Sequence, residues 1–224
     1  MKPALRLMIT GLVEPVLFGI IIFAVAGTVH YWQAWVLLVV FTLATWASSA
    51  YLYFNNPEAL QRRMRGGPAA ETRPVQKAVM AGLWLSLLSM LVVSALDHRL
   101  GWSAVPTPVV VAGDLLVAIG LMTPVLVVLQ NNYAAATVRV EAGQKLATTG
   151  LYGLVRHPMY AGNVVMMLGI PLALGSWCGL GLVVPGVLVL ACRIHDEERL
   201  LVAELDGYRE YTERVRYRLV PGVW

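Results

Sequence analysis

Long apolar runs divide this chain and constrain its fold more than any other feature. Four of the runs are each about as long as a helix that crosses a bilayer, which takes roughly 20 residues. They cover residues 9–29, 32–54, 79–96 and 109–129. Two shorter runs, 159–174 and 177–194, are separated only by Gly175 and Ser176 and predict a tight helical hairpin. Because 58% of the 224 residues are hydrophobic and only 13% are charged, lipid is the natural solvent of this chain.

The basic residues indicate an orientation in the membrane. All but one of the 17 Lys and Arg residues flank the apolar runs on one side, and only Arg99 falls on the other. The positive-inside rule makes the common side cytoplasmic. We therefore expect an all-α integral membrane protein with about six spans and both termini in the cytoplasm. The net charge of +4 follows from this topology and from contact with membrane lipids, and it requires no nucleic-acid partner.

The polar residues divide the chain into two regions. Residues 1–130 form N-terminal transmembrane helices with few polar groups, whereas residues 131–224 contain a polar loop, the hairpin and a tail. The last apolar run continues to about Leu205 without a helix breaker, so its helix is expected to extend out of the membrane. Asp114 lies near the end of a span and is expected to face water. Glu14, within the first run, either lines a cavity or lies near the headgroups.

Two polar clusters flank the hairpin. Residues 156–162, Arg-His-Pro-Met-Tyr-Ala-Gly, precede it, and Glu197-Glu198 follow it. If the hairpin folds back on itself, both clusters reach the same membrane face and form a polar pocket. Pro158 suits the first turn of a helix, whose N-terminus attracts anionic or hydroxyl-rich ligands. Adjacent helix positions point about 100° apart, so only one of the two glutamates can face the pocket squarely.

Each of these residues also has an ordinary structural role open to it. His157 alone could cap the helix, Tyr160 could belong to the aromatic belt of the membrane interface, and either glutamate could be solvated. Arg193 lies one helical turn before Glu197 and could simply pair with it. However, an ionisable group at the end of an apolar run indicates function by default. The combination of these residues favours a site more than any one of them does.

Taken together, these segments resemble the C-terminal half of the isoprenylcysteine carboxyl methyltransferases. The resemblance covers residues 138–224 and rests on residues 144–152, residues 156–162, and Arg193 with Glu197-Glu198. The ending, 207–211 and 215–224, is similar to a bacterial branch of that superfamily, which implies a bacterial inner membrane. Residues 156–162 alone are also similar to a segment of membrane sterol reductases.

The resemblance implies S-adenosylmethionine as the methyl donor and assigns roles to individual residues. Arg193 and Glu197 are the expected catalytic residues, since Arg193 should face the acceptor and Glu197 should bind the ammonium group of the cofactor. Gln144 stands where family members usually have His, so a binding role is kept there but a proton role is in doubt. No metal site is implied. The residues implied in cofactor binding are Gln144, Lys145, Leu146, Ala147, Tyr152, His157, Pro158, Met159, Tyr160, Glu197 and, as the alternative to Glu197, Glu198.

The expected function is therefore methyl transfer to a lipophilic acceptor that enters from the bilayer. If the acceptor group is a carboxylate, it is already ionised and needs no general base, and an arginine can hold it bidentately. Catalysis would then rest on the alignment of donor and acceptor for in-line transfer and on partial desolvation of the nucleophile. The alternative is an NADPH-dependent membrane reductase related to the sterol reductases. A non-catalytic membrane protein or small transporter ranks last, because the spans contain no clear polar track. The identity of the acceptor and the oligomeric state stay open.

Overall fold

The computed structural model of the chain describes residues 3–64, 71, 73–131 and 144–224, and for residues 3–10 and Arg63 it describes the backbone alone. The described residues fold into helices without strands, as the sequence predicts. Most of the polar loop expected at the start of the second region lies outside the described residues. The helices are α1 Pro3–Ala26, α2 Trp32–Asn55, α3 Pro57–Met64, α4 Pro74–Leu100, α5 Thr107–Gln130, α6 Leu151–Leu154, α7 Pro158–Ala173, α8 Val183–Glu204 and α9 Tyr208–Arg214.

Four helical segments in the described part of the chain are long and apolar enough to cross a membrane. They are Trp32–Asn55, Pro74–Leu100, Thr107–Gln130 and Cys178–Glu204, the last of which includes a short 3-10 helix, Cys178–Leu182, before α8. Two shorter apolar stretches, Gly11–Ala26 and Pro158–Ala173, accompany them. Large apolar side chains cover the outer surface, such as Leu85 and Leu188, which are 66% and 63% exposed. These features fit an integral membrane protein, while the number of six spans stays a prediction.

Glycines bring α5 and α7 into backbone contact. Gly113 and Gly120 on α5 face Gly162 and Gly169 on α7. A Cβ atom added at Gly162 would lie 2.5 Å from the Cβ of Thr123, closer than such atoms approach. Small residues allow two membrane helices to pack this closely. This contact holds the first turn of α7, where the polar cluster begins, firmly against α5.

A polar node at the other end of α7 anchors the hairpin turn. Asp97 on α4 accepts hydrogen bonds from Ser103 at 2.7 Å and from Ser176 at 2.5 Å. Ser176 in turn accepts one from the backbone of Gly179 at 2.9 Å. Gly175 has φ +68°, a left-handed conformation that glycine adopts without strain and that reverses the chain. The predicted hairpin is therefore confirmed, and its second arm extends to Glu204, as the sequence indicated.

Two acidic residues of the first region lie in different surroundings. Asp114 is only 6% exposed, and neither of its carboxylate oxygens has a hydrogen-bond partner in the described part of the chain. The expectation that Asp114 faces water is wrong, because this face of α5 packs inside the helix bundle. Glu14 has an exposed side chain on α1.

Candidate functional site

The two polar clusters meet at the start of α7. The hydroxyl of Tyr160 donates a hydrogen bond to Oε2 of Glu197 at 2.5 Å. Nε2 of His157 lies 3.1 Å from Oε1 of Glu198. These contacts join residues 37 and 41 positions apart, because α8 runs back along α7 after the turn. The sequence-based expectation that the hairpin unites the clusters therefore holds.

Glu198 is the centre of a buried ion cluster. Nε of Arg156 lies 2.7 Å from Oε1 of Glu198, and Nε of Arg218 donates to Oε2 at 2.9 Å. The side chains of Arg156 and Glu198 are only 6% and 11% exposed, and that of Arg218 is 26% exposed. Together with His157, these contacts engage both oxygens of the carboxylate. Glu198 thus acts as the counter-charge that ties α8 to the start of α7 and to the segment after α9.

The segment after α9 pairs with the chain that leads into α7. The backbone N–H of Arg156 donates to the carbonyl of Tyr217 at 2.9 Å, and that of His157 donates to the carbonyl of Arg218 at 3.0 Å. His157 occupies the N-cap position of α7, although its side chain does not cap the helix. Its ring instead stacks beside Tyr160, with 5.5 Å between the centroids. The pairing places the imidazole between Glu198 and the Tyr160 ring.

Tyr160 lies between a carboxylate and a guanidinium on successive turns of α8, those of Glu197 and Arg193. Its hydroxyl donates to Glu197 and accepts from Nε of Arg193 at 2.9 Å. The guanidinium carbon of Arg193 is 5.8 Å from the centroid of the Tyr160 ring. Arg193 is only 4% exposed, whereas Glu197 is half-buried. The structure therefore places a half-buried carboxylate and a buried guanidinium on either side of one phenol.

Arg193 has further partners in the first region, and the sequence did not indicate them. Nη1 of Arg193 donates to Gln76 Oε1 at 3.0 Å, and Nη2 donates to Glu71 Oε1 at 3.1 Å. Gln76 also donates to Asp196 at 2.5 Å, and Arg73 donates to the other oxygen of Asp196 at 2.8 Å. Polar residues at the start of the otherwise apolar α4 are the only sequence signal of this network. Which helix they would meet depends on tertiary packing.

Three tyrosines lie on the α6 and α9 side of the site. Burial raises the pKa of Tyr152 to about 12, and the negative charge of Glu197 adds to this effect. Tyr211 donates to the backbone carbonyl of Tyr152 at 2.7 Å. The Tyr208 hydroxyl is buried and has no hydrogen-bond partner among residues 144–224 or the other described residues. Burial, followed by the charges of Glu198 and Glu197, raises the pKa of Tyr208 above its usual value. Tyr152 and Tyr208 are thus neutral hydroxyls at physiological pH.

The remaining residues that the resemblance implicated lie around this centre. Leu146 packs against the cluster that Leu205, Tyr208 and Tyr211 form, so the segment that contains it lies beside the start of α9. Pro158 is the buried first residue of α7, and Met159 follows it, half-buried. In the segment before α6, Gln144 and Ala147 are half-buried and Lys145 is exposed. Tyr208 and Arg218 lie within the ending that carries the family resemblance, but no pattern in the sequence assigned either of them to the site.

The donor set suits an organic ligand. No group of three or more His, Cys, Asp and Glu side chains in the described ranges is placed to hold a metal ion. A half-buried carboxylate such as that of Glu197 can bind an ammonium, and the Tyr208 hydroxyl, which has no partner among the described residues, can bind a polar organic group.

Comparison with known proteins relates parts of the chain to a methyltransferase family and to sterol reductases. Residues 108–206 match the model of the phospholipid methyltransferase family. The chain is also 35% identical over 95 residues to a Delta(14)-sterol reductase of Mus musculus, which is 39% of this chain and 22% of the relative. It is 28% identical over 97 residues to a Delta(14)-sterol reductase of Schizosaccharomyces pombe, which is 39% of this chain and 21% of the relative. The matched part spans about a fifth of the length of these two reductases.

Proposed function

We propose that this protein is an S-adenosylmethionine-dependent integral membrane methyltransferase that acts on the carboxylate of a lipophilic acceptor, as isoprenylcysteine carboxyl methyltransferases do. The observation that carries the proposal is the arrangement of Glu197, Tyr160 and Arg193. The carboxylate of Glu197, which can bind a cationic donor, lies one helical turn from the guanidinium of Arg193, which can bind an anionic acceptor. The Tyr160 hydroxyl contacts both groups. The match of residues 108–206 to the phospholipid methyltransferase family supports methyl transfer.

The residues on the acidic side fit this cofactor. When bound, S-adenosylmethionine supplies a methyl group from its sulfonium sulfur, so that an acceptor oxygen gains a C–O bond, the sulfur keeps the electron pair of the broken C–S bond, and no proton is released. Glu197 would bind the ammonium of the amino-acid portion, because both oxygens of Glu198 are already engaged by Arg156 and Arg218. The Tyr208 hydroxyl, which no described residue contacts by a hydrogen bond, would donate to a polar group of the cofactor, and the Tyr160 ring would face the cation.

The basic side fits a carboxylate. Arg193 presents a planar guanidinium at the end of the apolar part of α8, where the head of a lipophilic acceptor would arrive from the bilayer. A carboxylate needs no general base, and the neutral tyrosines around the site offer none. Arg193 would orient the acceptor, and the burial of the site would remove water from the nucleophilic oxygen.

We propose further that the site faces the cytoplasm of a bacterial cell, with both termini on that side and six spans in the inner membrane. The distribution of Lys and Arg along the chain supports this orientation. The cofactor would enter from water, and the acceptor would enter from the lipid.

A membrane reductase that uses NADPH is the second candidate, and the similarity to the two Delta(14)-sterol reductases favours it. A dinucleotide carries phosphates, which need cationic partners. Arg156 and Arg218 are paired with Glu198, and the half-buried carboxylate of Glu197 would repel a phosphate. The charges of the site therefore favour the methyl donor.

A binding experiment separates the two candidates. Purified protein in lipid nanodiscs is titrated by calorimetry with S-adenosylhomocysteine and, separately, with NADPH. The proposal expects saturable binding of S-adenosylhomocysteine that weakens in Glu197→Gln, and no binding of NADPH. Binding of NADPH alone would show that the reductase alternative is correct.

A further inference from the structure

We infer that Glu71 occupies the position of the acceptor carboxylate on Arg193, and that the acceptor must exchange with it. This inference rests on the proposed function, in which Arg193 binds the acceptor. It restricts the acceptor to a group that carries a negative charge and the shape of a carboxylate. Glu71 lies in the first region, outside the part of the chain that matches the methyltransferase family.

The contacts of Arg193 identify which partner can be exchanged. Nε is held by Tyr160 on α7, and Nη1 is held by Gln76 on α4. Both of these partners are neutral side chains on helices packed against α8. Nη2 pairs with the carboxylate of Glu71, which precedes α4 by three residues. Glu71 therefore supplies the ionised carboxylate that an incoming acceptor would replace.

The burial of the pair makes such an exchange necessary. The side chains of Arg193 and Glu71 are only 4% and 2% exposed. A buried guanidinium that loses its counter-charge is strongly destabilised. Glu197 adds a second negative charge through the Tyr160 hydroxyl, but the carboxylate that contacts Nη2 of Arg193 directly is that of Glu71. Arg193 is consequently stabilised by a carboxylate on Nη2, either that of Glu71 before the acceptor binds or that of the acceptor afterwards. A neutral or cationic head group would displace Glu71 without restoring this contact, and it would bind less tightly than a carboxylate.

Gln76 would hold Arg193 in place during the exchange. Its amide oxygen accepts from Arg193, and its amide nitrogen donates to Asp196, whose other oxygen accepts from Arg73. This series of hydrogen bonds keeps the Arg193 guanidinium oriented when its carboxylate partner changes. An ordinary structural ion pair between Glu71 and Arg193 is the competing explanation. That explanation predicts that loss of the Glu71 charge lowers the stability of the fold and does not raise the affinity for a carboxylate ligand.

The test measures how two probes bind before and after removal of the Glu71 charge. The first probe is N-acetyl-S-farnesylcysteine, which presents one carboxylate on an isoprenoid tail, and the second is its methyl ester, which has no charge. Both are titrated into the protein in nanodiscs that contain saturating S-adenosylhomocysteine. In Glu71→Gln, we expect the carboxylate probe to bind at least tenfold more tightly, because it no longer competes with a resident carboxylate. We expect the ester to change less than twofold.

Two further variants keep the result interpretable. Glu58→Gln removes an exposed carboxylate from α3, where it pairs with Arg62 at 3.8 Å, and should leave the affinity for both probes unchanged. Glu71→Asp keeps the charge but shortens the side chain, so it should give an intermediate gain even if Glu71→Gln folds poorly. An unchanged or weaker affinity for the carboxylate probe in both Glu71 variants would overturn the inference, and so would an equal change for the ester. Failure of the unaltered protein to bind S-adenosylhomocysteine would instead overturn the proposed function, and the inference with it.

Discussion

Neutralising Glu198 should destabilise the protein, whereas neutralising its neighbour Glu197 should weaken cofactor binding. In Glu198→Gln, the buried Arg156 loses its carboxylate partner, and the more exposed Arg218 loses its own. Removal of one partner from a buried ion pair costs about 3–5 kcal/mol, and solvent screening at Arg218 reduces its share of that cost. For a chain of this length, such a loss lowers the melting temperature by roughly 6–20 °C. In Glu197→Gln, loss of a charged hydrogen bond to the ammonium should weaken S-adenosylhomocysteine binding by about 1.5–3 kcal/mol.

The assay is thermal unfolding in nanodiscs, combined with calorimetric titration of S-adenosylhomocysteine for each variant. Glu204→Gln serves as the matched control, because Glu204 is an exposed residue at the end of the same helix and should change neither quantity. The reasoning would be refuted if Glu198→Gln kept its melting temperature and lost cofactor affinity while Glu197→Gln did the reverse. The two glutamates would then have exchanged roles.

Three other substitutions test the remaining parts of the site. Arg193→Lys should lower methyl transfer about 10- to 100-fold with less than a threefold change in S-adenosylhomocysteine affinity, because lysine keeps the charge but cannot contact Tyr160, Gln76 and a carboxylate together as the guanidinium does; a parallel loss of cofactor affinity would contradict a role at the acceptor. Tyr208→Phe should weaken S-adenosylhomocysteine binding by about 0.5–1.5 kcal/mol and raise the melting temperature of the cofactor-free protein, since it removes a buried hydroxyl that has no partner in the described part of the chain; unchanged affinity in the same titration would exclude this contact. Burial raises the pKa of Tyr152 to about 12, so its contribution to the stability of the fold is constant below pH 9 and falls as the pH rises above 10, where the unfolded tyrosine ionises. Tyr152→Phe should reduce this fall by up to about 2 kcal/mol at pH 12, as measured by unfolding curves. An unaltered pH dependence of stability in the variant would contradict this prediction.

The sequence predicts the meeting of the two polar clusters because that meeting depends on local features. Two apolar helices joined only by Gly175 and Ser176 must run antiparallel. The segment before the first helix therefore lies beside the segment after the second. The structure confirms this meeting, with Tyr160 against Glu197 and Arg156 against Glu198. The angle between adjacent helix positions also predicts that only one of the two glutamates faces the pocket squarely, and which of them faces the cofactor stays a prediction.

The partners from distant parts of the chain could not be predicted in the same way. Glu71 and Gln76 reach Arg193 across more than a hundred residues, because α4 happens to pack beside α8. No local pattern encodes which helices are neighbours in a bundle whose surface is apolar on every side. Asp114 shows the same limit, since its position along α5 indicates its depth but not the direction in which it points.

The most direct test of the account is the fate of a labelled methyl group. Membranes that contain the protein are incubated with S-adenosylmethionine labelled with tritium in its methyl group, and the lipid extract is then treated with mild alkali. The account predicts label in a lipophilic product that alkali releases as volatile methanol, since a carboxyl methyl ester is hydrolysed under these conditions. It also predicts that membranes with Arg193→Lys incorporate far less label. Label that resists alkali, as a methylated amine would, or the absence of any transfer would contradict the central claim.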